Sequence, residues 1–299
     1  MGFVHNQIMV MMGPTCSGKS ALALAVARAR PTVIINADAM QMVDGLRVIT
    51  ARPTLEEEAE AEHALYGVLE AHEPTSVANW LARVKPAIEQ AWAEEKLPLL
   101  VGGTGMYVKA LMEGLASIAP IPEDIRTALR LMDAASMRAE LERKDPAMAA
   151  QLKPGDIQRN LRALEVIMAT GVSLSVWQAT TTLAAFPEAQ YQRLVVMRER
   201  AEIYARIDAR FEAMVQNGAL EEVRALMALN LNPDLPILRA HGVPELMAYL
   251  SGKMALADAV TKAQQNTRNY AKRQMTWLRN QWQGAQAVNS DTQILANLN

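Results

Sequence analysis

The stretch Gly13-Pro14-Thr15-Cys16-Ser17-Gly18-Lys19-Ser20 decides how this chain folds. It fits the full phosphate-loop pattern G-x-x-x-x-G-K-[ST]. The apolar run 7–12 precedes it and the Ala- and Leu-rich segment 20–30 follows it, so the motif lies between a predicted strand and a predicted helix. Its glycines let the backbone curl so that N–H groups point at phosphate oxygens, and the helix N-terminus adds partial positive charge. The alternative, a plain glycine-rich turn, does not require that flanking strand and helix.

All eight residues of the loop are predicted to contact phosphate. Lys19 would bring a full positive charge to the terminal phosphate, and the Ser20 hydroxyl would ligate Mg²⁺. The hydroxyls of Thr15 and Ser17 would donate hydrogen bonds to phosphate oxygens. The loop alone leaves three classes open: nucleotide hydrolases, small kinases, and transferases that release diphosphate.

The composition limits the class of protein. The chain has 299 residues, a formal charge of −2 and 51% hydrophobic residues, which allows a large core and excludes a disordered chain. Net charge argues neither for nor against a nucleic-acid partner. The single cysteine, Cys16, excludes an internal disulfide and a multi-cysteine metal site. We find no signal peptide and no apolar segment of about 20 residues, so we expect a cytoplasmic protein without membrane association.

Strand and helix patterns alternate over the first 110 residues, which favours a parallel sheet covered by helices. Residues 122–178 show helical patterns only. We therefore predict an α/β fold: a P-loop NTPase-like parallel sheet core of residues 1–115 and 190–299, with a helical insertion domain at 116–189. The predicted strands are 7–12, 33–35, 65–69, 97–101 and 193–197, and helices fill most of the remainder to about residue 282.

The ends of two predicted strands carry a further clue. Many P-loop NTPases place an Asp after a second apolar strand to hold Mg²⁺, but strand 97–101 ends in Gly102-Gly103-Thr104. The acid follows the other strand instead, at Asp38. Asp38 is predicted to act on an acceptor group, the alternative being that it caps a turn or helix.

Six blocks of sequence, in this order, resemble the tRNA dimethylallyltransferase family. They span nearly the whole chain, and the series is more specific than any one block. The blocks are GPTCSGKS (13–20), IINADAMQ (34–41), TARP (50–53), LLVGGTGMY (99–107), DIQRNLRALE (156–165) and AKRQMTWLR (271–279).

The resemblance implies a function. The family transfers a dimethylallyl group from dimethylallyl diphosphate to the exocyclic amine of the adenosine 3′ of the anticodon, in tRNAs that read codons beginning with U. Diphosphate is released and Mg²⁺ is required. The family fold is a P-loop core with a helical insertion that binds the tRNA anticodon arm. We expect a monomer.

The resemblance also assigns roles to individual residues. Asp38 would orient the amine and take its proton, Thr104 would lie near the acceptor base, and Arg210 would contact the diphosphate, joining Lys19 in catalysis. The alternative for Arg210 is that it only lies on a solvated helix face. Expected tRNA contacts are Asp38, Ala39, Met40, Gln41, Arg126, Gln158, Arg159, Arg162, Arg239, Lys272, Arg273, Trp277 and Arg279.

A basic segment near the C-terminus supports an RNA partner. Residues 259–289 contain no acid, and Arg268 and Lys272 share a helical face. Trp277 and Trp282 lie close by in sequence. Basic helices with aromatic neighbours suit a nucleic-acid backbone, although a solvated helix face remains the simpler alternative.

Four single positions depart from the family pattern, Val43, Arg47, Ile49 and Val243, and residues 67–71 replace an Asp-rich stretch of the family. They leave open the details of the acceptor loop. The main competing function is a small-molecule or nucleotide kinase, which would share the phosphate loop and could use Asp38 as its base. An adenine-nucleotide prenyltransferase and a non-enzymatic RNA-binding protein are further alternatives.

Overall fold

The computed structural model describes residues 5–116, 118–180 and 183–296. The chain divides into two compact units, Met1–Ala110 with Glu188–Asn299, and Leu111–Pro187. The second unit contains residues 116–187 of the helical insertion that was predicted at 116–189.

The first unit contains a six-stranded sheet in the order β3-β2-β4-β1-β5-β6, with every neighbouring pair parallel. The predicted P-loop-like parallel α/β core is confirmed. β2 and β4 are buried along their whole length, which explains why they read as continuous apolar runs instead of alternating ones. The strands are β1 Gln7–Met12, β2 Thr32–Asn36, β3 Glu62–Ala64, β4 Leu97–Gly102, β5 Gln190–Val195 and β6 Gln286–Ala287.

The helices follow the chain in three groups. The first group is α1 Lys19–Ala29, α2 Leu55–Glu60, α3 Val77–Ala93 and α4 Gly105–Glu113. The second is α5 Glu123–Arg130, α6 Ala134–Lys144, α7 Pro146–Gln151, α8 Ile157–Thr170 and α9 Leu174–Ala179. The third is α10 Arg200–Gln216, α11 Ala219–Ala228, α12 Val243–Leu250, α13 Leu256–Gln281 and α14 Asp291–Ala296. Within the described residues no helix is both long and apolar enough to cross a membrane.

Helix α3 covers the sheet through Trp80, which is fully buried. The indole Nε1 donates to the Asn36 carbonyl at 2.8 Å, at the end of β2. The same ring stacks on Tyr107, with centroids 4.8 Å apart. Helix α3 begins after Ser76, whose hydroxyl accepts the Asn79 N–H at 3.1 Å, as an N-cap should.

The second unit has its own core, formed mainly by α6 and α8 around Leu141 and Leu164. Arg138 ties this unit together, because its guanidinium donates to the Ala149 carbonyl at 2.8 Å and to Asn160 Oδ1 at 3.0 Å. Helix α8 ends at Gly171, whose φ of 69° favours glycine.

Three secondary-structure predictions need correction. The strand predicted at 65–69 is wrong: β3 lies at Glu62–Ala64, and Leu65 and Gly67 take positive φ angles of 66° and 59° that end it. The strand predicted at 193–197 is displaced: the observed strand, β5, spans Gln190–Val195, so it both begins and ends earlier than predicted. The chain continues past residue 282 with β6 and α14, which are too short to show a clear periodicity in sequence.

Gly102 is the point of closest approach between β4 and the turn after β2. A Cβ at Gly102 would collide with the backbone of Ala37, and backbone atoms yield less than side chains.

We therefore expect Gly102→Ala to lower the free energy of unfolding by about 1–3 kcal/mol, measured by urea denaturation. Gly155→Ala is the matched control, because nothing lies within 4 Å of a Cβ there and its φ is not positive. Equal stability of the two variants would contradict the close approach at Gly102.

Candidate active site

The carboxyl ends of β1, β2 and β4 meet at one edge of the sheet, where ligands bind in open α/β folds. The phosphate loop follows β1, Asp38 follows β2, and Thr104 follows β4. Backbone hydrogen bonds hold the last two segments together: Ala37 N donates to Val101 O at 2.9 Å, and Thr104 N donates to Ala37 O at 3.1 Å.

The phosphate loop has the curled backbone that its sequence predicts. Gly18 takes a φ of 99° and Cys16 a φ of 62°. The Lys19 Nζ lies inside the curl and donates to the carbonyls of Gly13 and Pro14 at 2.9 and 2.8 Å. The ammonium group is thereby placed where the loop can present it to a phosphate.

Ser17 is a buried residue of the phosphate loop. Its side chain is fully buried, and a Cβ on Gly13 would fall 2.7 Å from its hydroxyl oxygen. Its N–H donates to Pro14 O at 3.2 Å, and its carbonyl accepts the Arg198 Nε at 2.7 Å. Ser17 therefore links the loop backbone to Arg198. Its predicted phosphate contact stays a prediction.

Arginines of α10 and the segment before it surround the loop. Arg210 Nη2 donates to Thr15 Oγ1 at 2.5 Å. The arginine that was predicted to contact the diphosphate therefore lies at the phosphate loop. Arg198 and Arg206 both pair with Glu202 at 2.9 Å. Their guanidinium groups lie 3.5 and 3.9 Å from where a Gly18 Cβ would be.

Asp38 lies half-buried at the same edge. Its partial burial raises the pKa of its carboxyl, while the Met40 N–H and the nearby charges of Lys19 and Arg210 act in the opposite direction. The Met40 N–H donates to Asp38 Oδ1 at 3.0 Å. A half-buried carboxyl with a raised pKa near two cations is suited to take a proton.

Thr104 and Asp38 are brought together by the residue between them. The Ala39 N–H donates to Thr104 Oγ1 at 3.1 Å. The Asn36 amide fixes the turn, because its oxygen accepts the Asp38 N–H at 2.8 Å and its nitrogen donates to Asp38 O at 2.9 Å. The two predicted catalytic residues thus share one hydrogen-bonded turn.

The same surroundings act on Lys19. The pKa of its ammonium group is lowered from 10.5 to about 8, mainly by burial and also by the charge of Arg210, whereas Asp38 and Cys16 raise it. The loop therefore carries a lysine that titrates close to neutral pH.

Three tyrosines lie near Asp38: Tyr66, Tyr107 and Tyr270. Burial raises the pKa of each hydroxyl, and the charge of Asp38 raises it further. The Tyr270 ring also lies 4.5 Å from the ring of His241, centroid to centroid. Three tyrosine hydroxyls consequently lie within electrostatic reach of Asp38.

A loop after Gln41 carries Arg52, which is buried and pairs with Asp44 at 3.0 Å. Gln41 Nε2 holds this loop by donating to the carbonyls of Thr50 and Ala51 at 2.9 and 2.8 Å. From α11, the Glu222 carboxylate accepts the N–H groups of Val48 and Ile49 at 2.7 and 3.0 Å.

The departures from the family pattern have structural roles here. Arg47 pairs with Glu58 at 3.0 Å. Ile49 is buried, and its Cδ1 lies 3.0 Å from where a Gly242 Cβ would be. Val43 and Val243 are fully buried. All four residues stabilise the loop or the core around it.

Helix α13 lies against this edge of the sheet. Gln274 accepts the Thr15 N–H at 2.8 Å and donates to Gly103 O at 3.2 Å. The Trp277 ring occupies the space where a Gly105 Cβ would lie. A groove of about 570 Å³ runs along the outer face of the helix. It is lined by Asn269, Lys272, Arg273, Thr276, Trp277, Asn280 and Gln281.

The basic-helix prediction holds only in part. Lys272, Arg273 and Trp277 lie together in the groove, and Arg279 is exposed. Arg268 does not join them, because it pairs with Asp208 of α10. Trp282 is buried and donates to the Leu194 carbonyl at 3.2 Å, so it belongs to the core.

The remaining predicted tRNA residues lie on the surface of their own units. In the second unit Arg126 lies 4.0 Å from Glu123, Arg159 pairs with Asp156 at 3.4 Å, and Arg162 pairs with Glu165 at 3.2 Å. Gln158 lines a second groove of about 600 Å³ with Lys153, Gly155, Asp156 and Ile157. In the first unit Arg239 pairs with Asp234 at 3.4 Å.

Sequence reasoning missed Gln274, Tyr270 and Arg198. Gln274 and Tyr270 are four residues apart on a helix. The helical spacing of positions 267, 271, 275 and 278, which are buried in the structure, could have indicated the inner face of that helix. Arg198 had no such signal, because it lies in a loop.

The site fits Mg²⁺ only together with a phosphate. Among the described residues no group of three or more His, Cys, Asp or Glu side chains is arranged to hold a metal. Ser20 is exposed on the first turn of α1 and offers one hydroxyl oxygen. Mg²⁺ prefers six oxygen ligands and commonly takes several from phosphate and water.

These features define a class. A phosphate loop follows a central strand of a parallel sheet, a half-buried carboxyl lies within electrostatic reach of its lysine, and a basic groove runs along the neighbouring helix. The protein is a P-loop enzyme of the transferase type.

Comparison with known proteins identifies the family. The sequence model of the IPP transferase family matches residues 41–281, and that of the Isopentenyl transferase family matches residues 6–67. The tRNA dimethylallyltransferase of Methylobacterium nodulans is 49% identical over 280 residues, which cover 92% of each chain. The chain belongs to the tRNA dimethylallyltransferase family, and the resemblance inferred from its sequence blocks is confirmed.

Solved structures agree in fold. The full-length tRNA isopentenylpyrophosphate transferase of Bacillus halodurans superposes with a TM-score of 0.71 at 28% identity, covering 98% of this chain and 94% of that one. A eukaryotic dimethylallyltransferase, crystallised acting on tRNA, gives a TM-score of 0.78 at 25% identity, over 91% of this chain and 70% of that one.

The lowered pKa of Lys19 gives a testable pH dependence. Its ammonium group loses its proton as the pH rises through about 8, and only the charged form attracts an anion strongly. Affinity for inorganic diphosphate should fall by about tenfold between pH 7 and pH 9, measured by titration calorimetry.

Lys19→Arg is the matched control, because a guanidinium stays charged over this range. Titration of diphosphate itself affects both proteins equally and cancels in the ratio of their affinities. A ratio that stays constant with pH would contradict the assignment to Lys19.

Proposed function

We propose that this protein transfers a dimethylallyl group from dimethylallyl diphosphate to the exocyclic amine of the adenosine 3′-adjacent to the anticodon, in tRNAs that read codons beginning with U. The observation that carries the proposal is the half-buried Asp38 carboxyl, which lies within electrostatic reach of Lys19 and Arg210. A proton acceptor therefore lies beside the group that would hold the diphosphate. Family membership supports tRNA as the substrate.

The phosphate loop would bind the leaving group. As the bond between the allylic carbon and the diphosphate oxygen breaks, negative charge builds up on the departing diphosphate. Loop N–H groups, Lys19 and Arg210, which lie together at the phosphate loop, would face that charge and would stabilise the transition state at little reorganisation cost. Mg²⁺, held by Ser20 and diphosphate oxygens, would supply further positive charge.

Asp38 and Thr104 would serve the acceptor. An adenine amine is a poor nucleophile, because its lone pair is delocalised into the ring. Asp38 would hydrogen-bond the amine and take the proton that it loses as the new N–C bond forms. The Thr104 hydroxyl lies one hydrogen bond from the same turn and would orient the base.

Basic surfaces on each unit would bind the tRNA. The α13 groove of the first unit offers Lys272 and Arg273 to phosphates and Trp277 to a base. In the second unit Arg159 has a side chain that is 76% exposed. These contacts would offset the few kcal/mol needed to unstack the acceptor adenosine.

Nothing in the site favours the kinase alternative, and the family relationship argues against it. A small-molecule or nucleotide kinase would have no use for the basic α13 groove. Transfer of the dimethylallyl group to an anticodon stem-loop would establish the proposal, and ATP-dependent phosphorylation of a small acceptor without that transfer would refute it.

Asp38→Asn keeps the shape of the side chain but removes the proton acceptor. We expect the single-turnover transfer rate to fall by about 10²-fold or more, while diphosphate binds at least as tightly, because a negative charge near Lys19 has gone. Rapid quench of radiolabelled dimethylallyl transfer gives the rate. Asp291→Asn, at an exposed position on α14, should react like wild type; a normal rate for Asp38→Asn would exclude Asp38 as the base.

Arg273→Ala tests the groove. Loss of one phosphate contact should weaken stem-loop binding and reduce the slope of log affinity against log salt by about 1. Arg28→Ala removes a similarly exposed arginine at the C-terminal end of α1 and should change neither quantity. Filter binding at several salt concentrations measures both, and an unchanged slope for Arg273→Ala would rule the contact out.

A further inference from the structure

Gln274 joins two segments that are far apart in sequence. Its side chain is 6% exposed. Its Oε1 accepts the N–H of Thr15 in the phosphate loop at 2.8 Å, and its Nε2 donates to the carbonyl of Gly103 at 3.2 Å. One amide thus satisfies a donor after β1 and an acceptor after β4.

The two segments serve different substrates under the proposed function, on which this inference rests. Thr15 belongs to the loop that would hold the diphosphate, and its hydroxyl accepts from Arg210. Gly103 precedes Thr104, which is hydrogen-bonded to the Asp38 turn through Ala39. The Gln274 amide therefore links the leaving-group side of the site to the acceptor side.

Packing leaves little freedom around this link. A Cβ at Gly103 would collide with the Gln274 Nε2. One turn further along α13, the Trp277 ring fills the space beside Gly105. The turn after β4 is in direct contact with the helix. A change in the amide would therefore shift both the phosphate loop and the turn after β4.

We propose that Gln274 is a positioning residue, whose amide sets the distance between the departing diphosphate and the attacking amine. The amide must accept and donate at once. A methionine of similar length does neither, and a carboxylate accepts the Thr15 N–H but repels the Gly103 carbonyl. Because Gln274 faces inward while Lys272, Arg273 and Trp277 face the groove, α13 orients both substrates with one rigid element.

The test separates spacing from binding. For Gln274→Met and Gln274→Glu we expect single-turnover transfer at saturating substrates to fall by about 100-fold, as a misplacement of about 1 Å can cause. Affinities for an anticodon stem-loop and for inorganic diphosphate, each measured alone by calorimetry, should change by less than about threefold. Gln265→Met, at an exposed position on the same helix, is the matched control and should react at the wild-type rate.

Each outcome decides the proposal. A wild-type rate in both variants would overturn it, and so would a loss of diphosphate affinity as large as the loss of rate, because Gln274 would then act on binding alone. Thermal unfolding of each variant shows whether it is folded, and the isosteric Gln274→Glu serves if Gln274→Met is not. Absence of transfer by the wild-type protein would refute the proposed function itself, and this inference with it.

Discussion

The site depends on the placement of a half-buried lysine ammonium group among the carbonyls of the phosphate loop. Removing such a charge from water is costly, and the lowered pKa of Lys19 reports that cost. The carbonyls of Gly13 and Pro14, with the nearby charge of Asp38, offset part of it. The charge of Arg210 acts in the opposite direction, so the site gathers positive charge that an anion can neutralise.

A second constraint is the close contact of backbones at the sheet edge. Gly102 allows the turn after β4 to lie against Ala37, so Thr104 and Asp38 come within one hydrogen-bonded turn of each other. Lys19, the first residue of α1, follows the phosphate loop that begins at the end of the neighbouring strand β1. Chemistry on two substrates can therefore take place in one small volume, although the three residues come from three separate segments.

Much of this could be predicted from the sequence. The phosphate loop, the parallel core and Asp38 were found because their signals are local: a fixed spacing, apolar runs and a strand-end acid. The strand at 65–69 was placed wrongly, because an apolar run does not reveal that Leu65 and Gly67 adopt positive φ angles. The pairing of Arg268 with Asp208 could not be predicted from the basic segment, because Asp208 is distant in sequence. The bridge made by Gln274 could not be predicted, since it depends on how α13 packs against two loops.

The sheet order has a consequence for synthesis of the chain on the ribosome. β1 lies inside the sheet, yet its neighbour β5 follows only after the whole second unit has been made. At about 5–20 residues per second, one edge of an apolar central strand waits on the order of ten seconds for its partner. An unpaired edge of this kind invites association with other chains, so the nascent protein is most vulnerable to misassembly before β5 emerges.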